Sequence, residues 1–247
     1  MSDQAIEARD VSFIYPGGTE ALRGVSFRIS RGEAVGIIGC NGAGKSTLLL
    51  HLNGYLTPTR GEVRVGDVPL TRQTVAMARR AVGLVFQDSD DQLFMASVFE
   101  DVAFGPLNLG LSDDEVERRV ADALDRVGMA HLRDRPPYHL SAGEKRAVAI
   151  ATVLAMEPDI LVMDEPSSNL DPRARRRLID LLRSFGHTLI IATHDLELVV
   201  EVCSRVMVLD GGTLVADGPP RDILNDEPLM IAHGLERPHI LRHTHPH

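Results

Sequence analysis

The sequence predicts an α/β fold with a mixed sheet at its core, an antiparallel β portion at its start and a helical section in its middle. Continuous apolar runs at 34–38, 160–163 and 188–192 are typical of strands that are covered on both faces. Part-alternating Val, Ile and Phe residues at 6–14 and 22–30 indicate antiparallel strands. Apolar residues at helical spacing indicate the helical section, and they are Val116, Val120, Leu124 and Val127.

Composition limits the class of protein. A chain of 247 residues, 44% of them hydrophobic, can bury the core of one large domain with a subdomain. No apolar run approaches the roughly 18–20 residues of a membrane-spanning helix, so we expect a soluble, intracellular protein without direct lipid insertion. The net charge of −9 disfavours nucleic acid as a partner. The two cysteines provide no disulfide framework, which suggests a reducing compartment.

The first strands lead into a glycine-rich loop. The strands at 6–14 and 22–30 flank a turn at 16–18, and the apolar run at 34–38 follows them. The next residues are Gly39-Cys40-Asn41-Gly42-Ala43-Gly44-Lys45-Ser46-Thr47, before an apolar helical pattern. This spacing fits the phosphate-binding P-loop, in which backbone N–H groups and a helix N-terminus face the phosphates. We expect Lys45 to reach the outer phosphates and Ser46 to ligate Mg²⁺.

Short elements connect this loop to the helical section. The pattern predicts a strand over 62–65, a helix over 71–80 and a buried strand over 81–86. From residue 88 to about residue 157 the chain has helical character. Within that section, Ser112-Asp113-Asp114-Glu115 predicts a capping box.

A second helix start resembles an anion site. Ser141 and Glu144 have the spacing of a capping box, so the segment 140–146 opens a helix. The small residue Ala142 and Gly143 leave the N–H groups of that terminus open to a phosphate. The chain therefore carries two helix ends that can face phosphates, about a hundred residues apart.

Two carboxylates follow the apolar run at 160–163. Asp164 can hold a Mg²⁺ ion, and Glu165 can act as general base on a water that attacks the γ-phosphate. The alternative interpretation is that Asp164-Glu165-Pro166 is an ordinary turn at the end of a strand.

The remaining elements complete the predicted sheet. A helix is expected over 172–185, and its basic run at 173–177 is expected to be a solvated face. A strand over 205–209 turns at 210–212. The end of the chain is predicted to be a mobile tail that holds half of the ten histidines, namely His233, His239, His243, His245 and His247.

The order of these motifs resembles that of the ATP-binding-cassette (ABC) ATPases, whose signature motif is usually Leu-Ser-Gly-Gly-Gln. Gln87 matches the Q-loop glutamine of that family, the segment 168–171 matches the D-loop, and His194 matches the switch histidine. Tyr15 lies where the family has an aromatic residue that stacks on adenine, although an isolated tyrosine on a strand could equally belong to the core. The resemblance implies an ABC cassette, a P-loop NTPase domain, over 1–225 with its helical subdomain at about 88–157, and a tail over 226–247.

The resemblance also implies a mechanism. Family members form a head-to-tail dimer that holds two ATP molecules, each between one subunit's P-loop and the other's signature helix. The implied catalytic residues are Glu165, His194 and Gln87, and the implied Mg²⁺ ligands are Ser46, Gln87 and Asp164. The implied nucleotide-binding residues are Tyr15, Gly39, Asn41, Gly42, Ala43, Gly44, Lys45, Ser46, Thr47, Ser141, Ala142, Gly143, Glu144 and Asp171.

The signature departs from the usual one at two positions. Ala142 replaces Gly, and a Cβ would cost roughly 1 kcal/mol at a position with positive φ, so we expect helical or extended backbone there. Glu144 replaces Gln, and its carboxylate would repel a γ-phosphate unless it points back into the capping box.

The segment 87–109 resembles the Q-loop region of energy-coupling-factor importers, especially the cobalt and nickel type. The resemblance implies that this segment faces a membrane subunit, with an apolar surface beside an acidic trio, Asp88, Asp90 and Asp91. The alternative is that the apolar side chains pack in the subdomain core and the acids are solvated. The apolar residues concerned are Leu93, Phe94, Met95, Val98, Phe99 and Phe104.

The expected function is ATP hydrolysis that energises such an importer. The partners would be a second ATPase subunit, with one complete motif set favouring a homodimer, and integral coupling and substrate-binding subunits. These partners would hold the protein on the cytoplasmic face of the membrane. Cobalt or nickel would agree with imidazole ligands in the tail, but a disordered tail is an equal interpretation. A vitamin or another small solute is the alternative substrate, and a soluble non-transport ABC ATPase is a more distant one.

Overall fold

The computed structural model describes residues 3–238, which form two sheets and nine helices. The apolar and β-branched residues of the first half form most of the strands, and the turns between them are rich in glycine. The strands are β1 (Gln4–Ile14), β2 (Glu20–Ser30), β3 (Ala34–Ile38), β4 (Arg60–Val65), β5 (Val68–Pro69), β6 (Val82–Val85), β7 (Ile160–Asp164), β8 (Thr188–Ala192), β9 (Arg205–Asp210) and β10 (Thr213–Gly218).

The helices occupy the connections between strands and the whole middle section. The helices are α1 (Lys45–Leu52), α2 (Val75–Ala81), α3 (Val98–Asn108), α4 (Asp113–Arg126), α5 (Ala142–Leu154), α6 (Pro172–Ser184), α7 (Leu196–Val202), α8 (Pro220–Asn225) and α9 (Glu227–Ala232). Three short 3₁₀ turns lie at 89–91, 130–132 and 137–139. No helix within residues 3–238 has the length and apolar character needed to cross a membrane.

The first sheet is antiparallel, as predicted. Its strand order is β2-β1-β4-β5, and β1 pairs with both β2 and β4. Along β2, Val25, Phe27 and Ile29 alternate with exposed residues, and Leu22 is also buried beyond a shift in register, so the strand has one packed face and one face toward solvent.

The second sheet is mixed and lies at the centre of the molecule. Its order is β10-β9-β3-β8-β7-β6, with parallel pairing from β9 to β6 and antiparallel pairing of β10 on β9. The strands β6, β7 and β8 are buried along their full length, which explains their continuous apolar sequence. The parallel arrangement brings the carboxyl ends of β3, β7 and β8 to one edge, where a ligand site is expected in an open α/β sheet.

The middle section is helical, as predicted. Helices α3, α4 and α5 pack on one another, and Val116, Val120 and Leu124 of α4 are buried in their shared core. Two local predictions were wrong. Helix α2 begins at Val75 rather than at Thr71, because Thr71 and Thr74 instead form a turn in which the Thr71 N–H donates to the Thr74 hydroxyl. Ser112 is the N-cap of α4, but its side chain makes no capping hydrogen bond.

The sequence pattern did not predict β10 or the two helices α8 and α9. Helix α9 lies inside the segment assigned to the tail, and its Met230 is buried in the main core. The residues after α9 approach the glycine loop: the Cys40 thiol lies 3.3 Å from the His233 carbonyl oxygen. The His233 ring nitrogen Nδ1 lies 2.8 Å from Asp210 Oδ2. The start of the predicted mobile tail is thus packed against the domain.

Four of the tail histidines, His239, His243, His245 and His247, lie outside the described residues. Among residues 3–238, no group of three His, Cys, Asp or Glu side chains is placed to hold a metal ion. The metal-binding hypothesis for the tail therefore stays a prediction.

Candidate active site

The glycine loop between β3 and α1 requires Gly39 and Gly44 for space and Gly42 for its backbone conformation. A Cβ at Gly39 would lie 2.1 Å from the Leu209 carbonyl oxygen, and one at Gly44 would lie 2.6 Å from the Ala21 carbonyl oxygen. Gly44 also has a φ of +103°, and Gly42 has a φ of +81°. A larger residue at Gly39 or Gly44 would displace the neighbouring backbone. Because glycine occupies these positions, the loop can keep its N–H groups close to a bound phosphate.

Lys45 is folded onto this loop. Its ammonium donates to the Gly39 carbonyl oxygen at 2.8 Å and to the Cys40 carbonyl oxygen at 3.2 Å. The side chain is buried, whereas the neighbouring residues Asn41, Gly42 and Ser46 are exposed. The charge therefore lies inside the loop that would cradle a phosphate, where within residues 3–238 its hydrogen bonds go to two backbone carbonyl oxygens.

Asp164, at the end of β7, has the features of a cation ligand. The carboxyl is buried and is hydrogen-bonded to Ser46, yet Oδ1 has no partner among the residues that the structure describes. Burial raises the pKa of Asp164, and the neighbouring Glu165 charge acts in the same direction. A divalent cation would satisfy the orphaned oxygen and remove the cost of burying it, so the residues present fit Mg²⁺.

Glu165 is the next residue, and its backbone is strained. It has a φ of +45°, which is uncommon for a residue with a side chain and which costs roughly 1–3 kcal/mol unless the surroundings enforce it. Its N–H donates to the Ala192 carbonyl oxygen at 2.8 Å, which holds the turn against β8. Strain of this kind concentrates at functional sites and supports a role for the side chain.

The Glu165 carboxylate is held by the residues that follow β8. Its Oε2 atom accepts from the Thr193 hydroxyl at 3.0 Å and from the His194 N–H at 3.3 Å. His194 Nδ1 lies 2.8 Å from the same oxygen, although the imidazole itself is largely exposed. The structure thus brings together the predicted base and the predicted switch histidine. Thr193 has no counterpart among the sequence predictions.

Gln87 lies just beyond β6, with its side chain exposed beside the same edge of the sheet. Its backbone is held by Arg146 of α5, which donates to the Phe86 carbonyl oxygen at 2.7 Å and also to the Gln87 carbonyl oxygen. Arg146 is buried, which lowers its pKa against the opposing effect of nearby carboxylates. Sequence reasoning gave Arg146 no role, and its only signal was a charge among the apolar positions of a helix.

Tyr15 lies beside the loop, partly exposed. Its hydroxyl is 3.0 Å from the Thr47 hydroxyl, and its ring packs edge-on against Phe13. Phe13 is the residue that enters the core, while Tyr15 keeps one side open. Adenine stacking on Tyr15 stays a prediction that this exposure favours.

The predicted capping box at the start of α5 is confirmed. The Ser141 hydroxyl accepts from the Glu144 N–H, and Glu144 Oε2 accepts from the Ser141 N–H at 2.8 Å. The Ser141 N–H and hydroxyl lower the pKa of Glu144. Ala142 is the first helical residue and has no positive φ, as expected. Asp171 likewise caps α6 by accepting from the Arg173 and Ala174 N–H groups.

Because Glu144 is engaged in its own capping box, Glu144→Gln should leave the ATPase rate within a few-fold of the wild-type rate. Glutamine at this position can still accept from the Ser141 N–H. Steady-state ATP turnover of the purified variant measures this. A loss as large as that of Glu165→Gln would mean that the carboxylate has a catalytic role.

A groove of about 560 Å³ connects the two halves of the predicted site. The residues that line it include Ser46, Gln87, Asp164, Ala142 and Arg146. Within residues 3–238, no hydrogen bond or ion pair joins residues 141–144 to the loop 39–47. Both phosphate-facing helix ends of one chain therefore contribute to this groove, but among the described residues they make no direct hydrogen bond or ion pair with each other.

Two exposed aromatic side chains form a second surface. Phe94 and Phe104 are 62% and 42% exposed and pack edge-on with ring centroids 5.2 Å apart. Asp101 is buried beneath them and accepts from the Phe94 and Met95 N–H groups, both at 3.0 Å. Burial raises the pKa of Asp101. The buried carboxylate thus fixes the loop that presents the aromatic pair.

The six apolar residues predicted for this surface are divided between it and the core. Leu93 and Val98 are buried, and Phe99 packs under the Arg133 guanidinium, whose carbon lies 4.3 Å from the ring centroid. Among the three acids, Asp90 is paired with Lys145 at 2.6 Å and Asp88 caps a 3₁₀ turn. Part of the predicted apolar surface is therefore exposed and part is packed in the core, and binding to a membrane subunit stays a prediction.

Comparison with known proteins agrees with this geometry. The sequence model of the ABC transporter family matches residues 22–168. A putative ABC transporter ATP-binding protein of Geobacter sulfurreducens is 63% identical over 238 residues, which cover 96% of each chain. The energy-coupling factor transporter ATP-binding protein EcfA of Methanothermobacter thermautotrophicus is 50% identical over 94% of this chain and 76% of its own.

A solved structure is similar along its whole length. CbiO1 from Clostridium perfringens, described as part of the ABC transporter complex CbiONQ, has a TM-score of 0.82 and is 40% identical. The alignment covers 98% of both chains, so it includes the two sheets, the helical section and the C-terminal helices.

Proposed function

The chain belongs to the ABC transporter family, and from that premise we propose that it hydrolyses ATP to energise an energy-coupling-factor importer for cobalt or nickel ions. ATP binding and hydrolysis follow from family membership. The importer class is supported by the similarity to EcfA, and the metal cargo by the resemblance of the segment 87–109 to importers of the cobalt and nickel type. A vitamin or another small solute is the alternative cargo.

The observation that carries the catalytic proposal is the Glu165 carboxylate. Its described contacts all fall on Oε2, so Oε1 is left to accept a proton from an attacking water. His194 is exposed beside it and would contact a γ-phosphate in this proposal. Lys45 and the loop amides would offset the phosphate charge. Tyr15, Asn41 and Thr47 complete the nucleotide contacts in this proposal.

Ser46, Gln87 and Asp164 would hold Mg²⁺, which neutralises charge on the phosphates during transfer. Ser46 and Asp164 are already hydrogen-bonded, and the free Asp164 oxygen is the atom that the ion would engage. Gln87 is the one of these three ligands whose side chain can adjust its position. Its side chain is exposed, while the backbone beside it is held by Arg146 of α5.

We propose that a second copy of the chain completes the site. At the start of α5 the capping box uses the Ser141 and Glu144 N–H groups, so the Ala142 and Gly143 N–H groups are the ones left open to a phosphate. A head-to-tail dimer would place this terminus against the phosphates bound by the partner, where its dipole favours negative charge. Asp171 would lie at the same interface because it starts the helix that follows the predicted D-loop.

The partner in the membrane would bind the surface formed by Phe94 and Phe104. These side chains supply the exposed apolar anchor, and Asp88 and Asp91 supply negative charge that suits a helix with basic residues. Binding through such a subunit would hold the protein on the cytoplasmic face of the membrane.

Replacing both Phe94 and Phe104 with Ala should strongly reduce co-purification with the membrane subunits while basal ATPase activity stays near the wild-type rate. Interface aromatic anchors typically contribute about 2 kcal/mol or more when truncated. Ile231→Ala, which removes a comparably exposed apolar side chain on α9, is the matched control. Unchanged assembly of the double variant would show that another surface binds the partner.

Transport itself tests the proposed cargo. The protein, co-purified with its membrane subunits and reconstituted in vesicles, should accumulate labelled Co²⁺ or Ni²⁺ when ATP is supplied on the ATPase side. Uptake of a vitamin instead would favour the alternative cargo. An ATPase that co-purifies with no membrane subunit would contradict the importer assignment.

A further inference from the structure

A chain of hydrogen bonds runs from α6 to the proposed base. It starts at Arg175, in the first turns of the helix, whose Nε donates to Asp195 Oδ2 at 2.9 Å and whose second terminal nitrogen donates to Asp195 Oδ1 at 3.1 Å. The pair is bidentate and largely shielded, with side chains 23% and 18% exposed. Such a fork fixes both partners in direction as well as distance.

Asp195 is in turn hydrogen-bonded to Thr193. The Asp195 N–H donates to the Thr193 hydroxyl oxygen at 3.0 Å, and its carboxylate also accepts from the Leu198 N–H at the start of α7. Burial acts to raise the pKa of Asp195, but the Arg175 pair and the Leu198 N–H outweigh it and keep the pKa below its usual value. Asp195 is therefore a charged, fixed link between two helices.

Thr193 is the residue of this series that is hydrogen-bonded to Glu165. The threonine is completely buried, and its hydroxyl already accepts from Asp195, so its single proton is donated to Glu165 Oε2 at 3.0 Å. The backbone of Thr193 is fastened to β3, because its N–H donates to the Ile37 carbonyl oxygen at 3.1 Å. The Glu165 carboxylate is thus oriented by a side chain that cannot move independently of the sheet.

We propose that Arg175, Asp195 and Thr193 are positioning residues that set the orientation of the Glu165 carboxylate for ATP hydrolysis, an inference that rests on the proposed function. Helix α6 begins directly after the segment 168–171. Movement of that helix start by a second subunit would pass through the Arg175 fork to residues 193–194, and through them to the base. The Glu165 carboxylate is then correctly oriented only when α6 is held in place by the Arg175–Asp195 pair.

The competing interpretation is that Arg175 only fastens α6 to α7. Arg175, Arg176 and Arg183 all approach the Glu201 carboxylate, at 3.5 to 3.6 Å. Arg183→Met is therefore the matched control, because it removes a charge of α6 that contacts Glu201 but not Asp195. Arg175→Met removes the fork while keeping an apolar stem of similar reach.

Kinetics of the purified protein test the relay, by which we mean the series of contacts from Arg175 through Asp195 and Thr193 to Glu165. Thr193→Val, which keeps the shape and removes the hydroxyl, should lower kcat by roughly tenfold or more, since small misplacements of catalytic groups have effects of this size. KM and ATP affinity should change by less than about twofold, because the ground-state contacts are kept. Thr193→Ser restores the hydroxyl and should restore most of kcat. Arg175→Met should lower kcat several-fold, and Arg183→Met should not.

The Glu165→Gln background separates positioning from general damage. If Thr193 acts through Glu165, adding Thr193→Val to Glu165→Gln should cause no further fall in the residual rate. Asp195→Asn, which keeps the acceptor for Leu198, serves as a second variant if Thr193→Val does not fold, and it should reproduce the fall in kcat.

Each outcome has a defined meaning. The relay is wrong if wild-type protein turns over ATP and Glu165→Gln does not, yet Thr193→Val keeps its kcat. It is equally wrong if Val and Ser at position 193 lower kcat alike, or if Thr193→Val lowers the residual rate of Glu165→Gln by the same factor. Wild-type protein that binds ATP without turnover would overturn the proposed function, and the relay with it.

Discussion

Glu165→Gln should abolish ATP turnover while leaving ATP binding intact. The amide fills the same space and can accept from the Thr193 hydroxyl, but it cannot take a proton from water. General-base catalysis typically contributes about 10²–10⁴-fold, so we expect a fall of that order in kcat. Steady-state ATPase rate and nucleotide affinity, measured on the same preparation, give the two quantities.

The matched control is Glu20→Gln, which makes the same chemical change at an exposed position at the start of β2. It should keep the wild-type rate. If Glu165→Gln also kept most of its activity, another group would have to activate the water, and the strained backbone at Glu165 would need a different explanation.

The second large effect is expected for Lys45→Met, which should strongly weaken ATP binding. The Lys45 ammonium is buried in the loop and donates to two of its carbonyl oxygens. It therefore already lies beside the place where a phosphate would bind. Hydrogen bonds to charged groups contribute about 1.5–3 kcal/mol, which corresponds to a loss of roughly ten- to a hundredfold in affinity. Titration of the purified variant with a fluorescent ATP analogue measures the loss.

Lys145→Met is the control, because Lys145 is the chain's other lysine and is paired with Asp90 rather than with the loop. Its affinity for ATP should match that of the wild type. Near-normal binding by Lys45→Met would mean that the backbone amides alone hold the phosphates.

The sequence predicted those parts of the site that are encoded within a few consecutive residues. The glycine loop, the capping box at Ser141 and the carboxylates at the end of β7 all depend on local spacing, and each lies where it was expected. The mixed central sheet and the antiparallel sheet were also predicted, because burial on one or both faces changes the sequence pattern of a strand. The family named from these motifs is confirmed by the comparisons.

The parts that sequence reasoning missed are contacts between distant segments. Arg146 binds carbonyl groups about sixty residues away, and Thr193 meets Glu165 across two parallel strands. Neither contact leaves a periodic pattern, since one buried arginine or threonine is compatible with many environments. Helix α9 was missed for another reason: it has six residues, too few to show helical periodicity.

The most direct test of the account concerns the second subunit. Glu165→Gln protein with ATP and Mg²⁺ should sediment as a dimer, because bound nucleotide would join the P-loop of one copy to the Ser141 helix start of the other. Adding Ser141→Arg should return it to a monomer that still binds ATP, since the larger side chain blocks that helix end. A dimer that persists with Ser141→Arg, or Glu165→Gln protein that stays monomeric with ATP bound, would contradict a site shared between two copies.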